Sequence, residues 1–129
     1  MDVPLISGLD HIDIVVEDTE RMAGFLTALG FTVIRRTAGT RGSIELRFPG
    51  EGEQPFIELT PSAAPDGKTR PLGLRHMAVR APDLAETYRV LSAQGYRFNG
   101  PPKQVGDTGR TLTNLIDPEG KSLQIVSAS

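Results

Sequence analysis

The sequence predicts an α+β protein of two βαβββ modules in tandem, with a mixed or largely antiparallel sheet. Three observations predict it. The first is an internal repeat: Leu9-Asp10-His11-Ile12 returns as Leu74-Arg75-His76-Met77, and Leu26-Thr27-Ala28-Leu29-Gly30-Phe31 as Leu91-Ser92-Ala93-Gln94-Gly95-Tyr96, both 65 residues on. Phe56-Ile57-Glu58-Leu59 returns as Ser122-Leu123-Gln124-Ile125, 66 residues on. The second is the punctuation, an Asp or Thr opening each helical stretch and a Gly closing it. The third is period-two alternation in the short β-branched segments between them.

Taken in order, residues 9–16 are short and β-branched and form a strand. Asp18 or Thr19 caps a helix that runs to about Leu29, with Met22, Phe25, Leu26 and Leu29 on one face and Gly30 just beyond its end. Strands follow near 31–37, 43–48 and 55–60. Residues 61–73, with three prolines and two glycines, connect the modules. The second module repeats the plan, with a strand at 74–80 and a helix opened by Pro82-Asp83 and closed by Gly95. The Gly/Pro-rich stretch 99–109 reads as a loop, and its segment 106–109 as a flexible one able to close over a site. Strands follow near 110–116 and 121–127, joined by Asp117-Pro118-Glu119-Gly120, a type I turn sequence. The whole of residues 1–129 is expected to be one domain, with modules at about 9–60 and 74–127.

Composition narrows the function classes. A net charge of -2 with no basic run argues against binding nucleic acid by phosphate neutralisation. No apolar stretch approaches the roughly 20 residues of a membrane span. With no cysteine, disulfides, thiolate zinc sites and cysteine nucleophiles are excluded. The opening Met1-Asp2-Val3-Pro4 lacks the basic and apolar regions of a secretory signal, so the cytoplasm is the expected compartment.

Strand parity points to the chemistry, because successive side chains alternate faces. If Ile12, Ile14 and Val16 pack on the helix, His11 and Asp13 face the other way. By the same rule Met77 and Val79 pack and His76 faces inward. Ile57 and Leu59 pack, leaving Glu58 inward, and Leu123 and Ile125 pack, leaving Gln124 inward. In 43–48, Ile44, Leu46 and Phe48 pack, so Glu45 and Arg47 face inward. The chain has only two histidines, and they occupy the same inward position of the two modules. One histidine on a strand is ordinarily structural. Two at matched positions, with a carboxylate and an amide at the other matched pair, make a divalent-metal donor set suited to Zn, Ni, Mn, Co or Fe. Arg47, Arg80 and Arg110 are candidates to hold an anionic substrate, with surface ion pairs as the alternative. Asp13 is either a substrate or metal-supporting group, or the partner of Arg47 or Arg80.

At these residues the chain resembles the vicinal oxygen chelate superfamily, which includes glyoxalase I, bleomycin-resistance proteins, methylmalonyl-CoA epimerase and extradiol dioxygenases. The resemblance rests on residues 9–16, 28–31, 56–59, 74–79, 95–96 and 117–126, and so covers nearly the whole chain. It implies a glyoxalase-like fold, a cupped mixed sheet around a metal held by His11, Glu58, His76 and Gln124. Most metal-dependent relatives have glutamate where Gln124 stands, and the epimerase branch has its Gln and Glu in exchanged places. With one carboxylate instead of two, a bound M²⁺ leaves a local charge near +1 and makes a bound water more acidic. Gln124 cannot act as a base, which leaves Glu58 or Glu45 to move a proton.

The function this implies is that of a metal-dependent lyase, isomerase or epimerase acting on a small substrate that chelates the metal through neighbouring oxygens. Glutathione is poorly supported, since Val15 stands where glyoxalase I-like relatives carry arginine. The alternatives are a metal-free drug- or metabolite-binding protein of the resistance type and, less well matched at Gln124, an iron-dependent dioxygenase. The resemblance also implies a homodimer.

Overall fold

The computed structural model describes residues 4–37, 41–106 and 109–128. Its elements are β1 (Gly8–Val16), α1 (Thr19–Ala28), β2 (Thr32–Arg36), β3 (Ile44–Arg47), β4 (Phe56–Pro61), β5 (Gly73–Ala81), α2 (Leu84–Ala93), β6 (Lys103–Gln104), β7 (Thr111–Ile116) and β8 (Ser122–Ser127). Each half is thus βαβββ, with its strands in mixed parallel and antiparallel pairing. Chain contacts gather into two compact units, one of His11–Arg75 and one of Met1–Asp10 with His76–Ser129. No helix among the described residues is long and apolar enough to cross a membrane.

In the unit His11–Arg75 the strand order is β2-β3-β4-β1. β1 and β4 are parallel, with His11 opposite Phe56 and Asp13 opposite Glu58. β3 is antiparallel to β4, with Glu45 opposite Glu58. The core shows the alternation expected of these strands, except that Ile12 is only half-buried and lies outside the core cluster. Val16, Ile44, Leu46, Ile57 and Leu59 are buried with Ala23, and Ile14, Met22, Leu26, Val33 and Phe48 pack around them. Asp18 caps α1 by accepting from the Arg21 amide at 3.0 Å. Gly30 follows α1 with φ of 105°, a conformation that favours glycine.

The helix face differs from its expected composition. Met22, Ala23 and Leu26 meet the core, whereas Phe25 and Leu29 stay 61% and 59% exposed. The buried stripe is centred on Ala23, because a small residue lets the helix approach the sheet closely, and this turns Phe25 and Leu29 to the rim.

In the other unit the order is β5-β8-β7-β6. β5 and β8 are parallel, with Ala78 opposite Gln124, and β7 and β8 are antiparallel, with Asn114 opposite Gln124. Its core is smaller: Ala81, Leu84 and Ile125 are buried, with Val79, Phe98 and Leu115 packed on them. Met77, expected in that core, is 46% exposed, since α2 covers the sheet further along at Val79 and Ala81. Asp83 caps α2 through the Glu86 amide at 3.1 Å. In the turn after β7, the Gly120 amide donates to the Asp117 carbonyl at 3.0 Å. Asp117 Oδ1 accepts from the Glu119 and Lys121 amides, both at 2.8 Å. The stretch 99–109 is not wholly a loop: β6 pairs with β7, Lys103 opposite Leu112. Pro101 and Pro102 before it have no N–H to donate, which keeps this edge pairing short. Of the expected flexible segment, Asp107 and Thr108 lie outside the described residues.

Candidate metal centre

In the first unit, parallel pairing of β1 and β4 sets His11, Asp13 and Glu58 on one face, and β3 adds Glu45 beside Glu58. All four are buried, at 6%, 0%, 3% and 7% exposure. A ligand nitrogen of His11 and a carboxylate oxygen of Glu58 lie within 4.8 Å of each other, close enough to share one cation. The imidazole stacks on Phe56 with ring centroids 4.6 Å apart and planes 19° from parallel, which holds its orientation.

Three buried carboxylates in one transverse row need compensation. Asp13 Oδ2 accepts from Arg75 Nη1 at 2.8 Å, and its Oδ1 from Thr60 Oγ1 at 2.7 Å. Thr60 in turn lies 3.4 Å from Ser43 Oγ. Asp13 is therefore paired, but with Arg75 rather than with Arg47 or Arg80. Arg75 lies in β5, 62 residues from Asp13 along the chain. Glu58 Oε2 lies 3.0 Å from Arg41 Nη1, off the hydrogen-bonding direction, and this buried oxygen accepts no hydrogen bond. Such an oxygen beside an imidazole fits a metal cation, whose charge would take the place of the Arg41 guanidinium.

Burial raises the Glu58 carboxyl above its ordinary value of 4.5, and the neighbouring Asp13 charge raises it further. Arg41 and His11 pull the other way without cancelling this, and Glu45 adds to the rise. The folded state therefore binds this proton more tightly than the unfolded chain, so ionised Glu58 destabilises the fold above pH 4.5. In chelator-treated protein, Glu58→Gln is expected to be more stable than the native chain at pH 7. The gap should close as pH falls through the carboxylate range. Urea denaturation from pH 4 to 7 checks this, and a gap that does not change with pH would contradict it.

In the second unit the register repeats. Gln124 lies opposite Ala78, as Glu58 lies opposite Asp13, and His76 precedes Ala78 by two residues, as His11 precedes Asp13. His76 and Gln124 are half-buried. Arg80 and Arg110, candidates for anion binding, both close on buried Asp10. Arg110 grips it with Nη1 at 2.9 Å and Nη2 at 2.8 Å, and Arg80 Nε reaches it at 3.2 Å. Arg110 Nη2 also donates to the Ser127 carbonyl at 2.6 Å. The ion-pair alternative describes these two arginines, and their shared partner, Asp10, carried no signal beyond its place in the repeat. Arg47 is exposed at the end of β3.

The family model described as Glyoxalase/Bleomycin resistance protein/Dioxygenase superfamily matches residues 8–125. Among solved structures, the chain is similar to methylmalonyl-CoA epimerase from Mycobacterium tuberculosis, with TM-score 0.79 and 21% identity over 100% of this chain and 93% of that one. A selenomethionine methylmalonyl-CoA epimerase gives TM-score 0.83 at 14% identity, over 99% of each chain. A methylmalonyl-CoA epimerase in complex with methylmalonyl-CoA and NH4+ gives 0.73 at 20%, over 96% of each. No curated protein sequence matches. At these identities the structures speak for a shared fold, the glyoxalase-like α+β fold, and the family model carries membership. With two βαβββ halves in matching register and a model match over nearly its whole length, the chain belongs to the Glyoxalase/Bleomycin resistance protein/Dioxygenase superfamily.

Proposed function

We propose that the protein is a divalent-metal-dependent enzyme of the epimerase, isomerase or lyase type, acting on a small substrate with neighbouring oxygens. The observation that carries this is the buried His11–Glu58 pair, whose carboxylate oxygen is ion-paired with Arg41 but accepts no hydrogen bond from the described residues. Its counterpart at identical register in the second half is His76 with Gln124. In this reading the four residues hold one cation from among Zn, Ni, Mn, Co and Fe. A cation there supplies Lewis-acid stabilisation of negative charge on a substrate oxygen.

The chain's own residues do the rest. Glu58 is committed as a ligand, so Glu45, buried beside it, takes the proton from the substrate carbon and returns it. Phe56 keeps the His11 ring in plane. Asp13 holds Arg75 and Thr60 rather than titrating with the substrate. Because solved relatives of this fold are methylmalonyl-CoA epimerases, an acyl thioester bearing an acidic C–H is the first substrate to try. A homodimer belongs to the same reading, and the exposed Phe25 and Leu29 supply apolar surface for it.

The test is elemental mass spectrometry after reloading with each of the five metals, followed by NMR of C2–H exchange in methylmalonyl-CoA in D2O. Stoichiometric metal and exchange lost in Glu45→Gln are expected. No metal under any loading would overturn the reading in favour of a metal-free drug- or metabolite-binding protein. One observation favours that second reading: the Arg41 guanidinium already stands 3.0 Å from Glu58 Oε2.

A further inference from the structure

Within each unit, strand register lines up three side chains across the sheet. In the first the row is Asp13, Glu58, Glu45, all carboxylates and all buried. In the second the equivalent row is Ala78, Gln124, Asn114, a methyl group and two amides. The repeat therefore places Asn114 where the first module places Glu45. We propose that Asn114, with Lys103, forms a carboxylate-binding subsite, so that the second module recognises an acid.

The surroundings of Asn114 support this. Its backbone is used, the N–H donating to Asn99 Oδ1 at 3.3 Å and the carbonyl accepting from the Asn99 amide at 3.0 Å. Its half-buried side-chain amide makes no hydrogen bond to the described residues. It borders a recess of about 310 Å³ between β7 and the segment 99–103, at the low end of ligand-sized cavities. The recess is walled by Asn99, Pro102, Leu112 and Asn114, and among its described lining residues Lys103 is the one charged group. Lys103 lies opposite Leu112, whose own partner on β8 is Val126, two residues from Gln124 and on the same face. Thr113 Oγ1 donates to the Gly100 carbonyl at 2.7 Å, and Pro101 and Pro102 stiffen the strap. The recess is thus preformed. A cation with an uncommitted amide donor selects an oxyanion, and the volume suits a carboxylate on a short chain.

The inference rests on the metal-dependent reading only in calling the acid a substrate; the subsite needs no metal. The experiment therefore uses chelator-treated, isotope-labelled protein titrated by NMR with malonate and, separately, with uncharged dimethyl malonate. Malonate is expected to shift the Asn114 side-chain amide signals and the backbone signals of 99–103, and the diester to leave them in place. Asn114→Leu and Lys103→Glu, with otherwise native spectra, should each weaken malonate binding at least about tenfold. Asn114→Asp, which introduces the charge class of Glu45, should abolish it. Equal shifts from the diester, no shifts from malonate, or undiminished binding in Asn114→Leu would overturn the proposal. Any of these would leave metal uptake untouched, and a failure of metal uptake would leave this titration unchanged.

Discussion

Replacing His11 with alanine is expected to lower the affinity for a divalent cation by roughly a hundredfold or more, a quarter share of the binding free energy typical of a four-ligand site. Competition against a chelating dye measures it. His76→Ala should cost a comparable factor, because the two histidines hold equivalent register positions. The imidazole is also buried and stacked on Phe56, so its removal will cost some stability in the metal-free protein as well. Phe56→Leu separates the two effects. It loosens the ring without removing a ligand, and should cost affinity about tenfold, in the range of outer-sphere substitutions. Native affinity in His11→Ala would remove His11 from the centre.

Asp10→Ala is expected to destabilise the protein by about 3 kcal/mol or more, because it leaves two guanidinium groups without their shared carboxylate. For a chain of this length that lowers Tm by roughly 10 °C. The Arg80 and Arg110 side chains are only 18% and 24% exposed, so neither charge is well solvated once Asp10 is gone. Asp10→Asn keeps the shape and one acceptor, and should fall between the native chain and Asp10→Ala. Calorimetry on the three proteins tests this. A loss below about 0.5 kcal/mol would place the cluster with solvent-exposed ion pairs.

The charged network shows where reading along the chain runs out. Asp10 lies 70 residues from Arg80 and 100 from Arg110, and nothing local to any of the three announces the pairing. Arg75 is 62 residues from Asp13. Arginine side chains are long enough to reach several carboxylates on neighbouring strands, so the partner is chosen by register and burial rather than by sequence distance. For the same reason Arg47, Arg80 and Arg110 stand out along the chain as candidates to hold an anion, but their partners do not.

The equivalence of Asn114 with Glu45 is hidden in the sequence for a related reason. It lies 69 residues after Glu45 (114 − 45), not 65 or 66, because the connection around residues 99–109 is longer than its counterpart in the first module. Alignment by offset slides past it, and only the pairing of each residue with its β4 or β8 neighbour exposes the equivalence. The helix face failed differently. Periodicity marks Met22, Phe25, Leu26 and Leu29 as apolar, but it does not say that Ala23 sets the line of closest approach and leaves Phe25 and Leu29 outside.

What the sequence by itself determined was the two-module α+β plan and the face on which His11, Glu45 and Glu58 lie. Repeats and two-residue alternation are local properties, and steric alternation of side chains along a strand makes them binding on the fold. What only the tertiary structure decided was which charges meet, which face of α1 is buried, and which neutral residue stands opposite Gln124. Those depend on inter-strand register and on the depth of helix packing, which are settled by contacts between segments far apart in the chain.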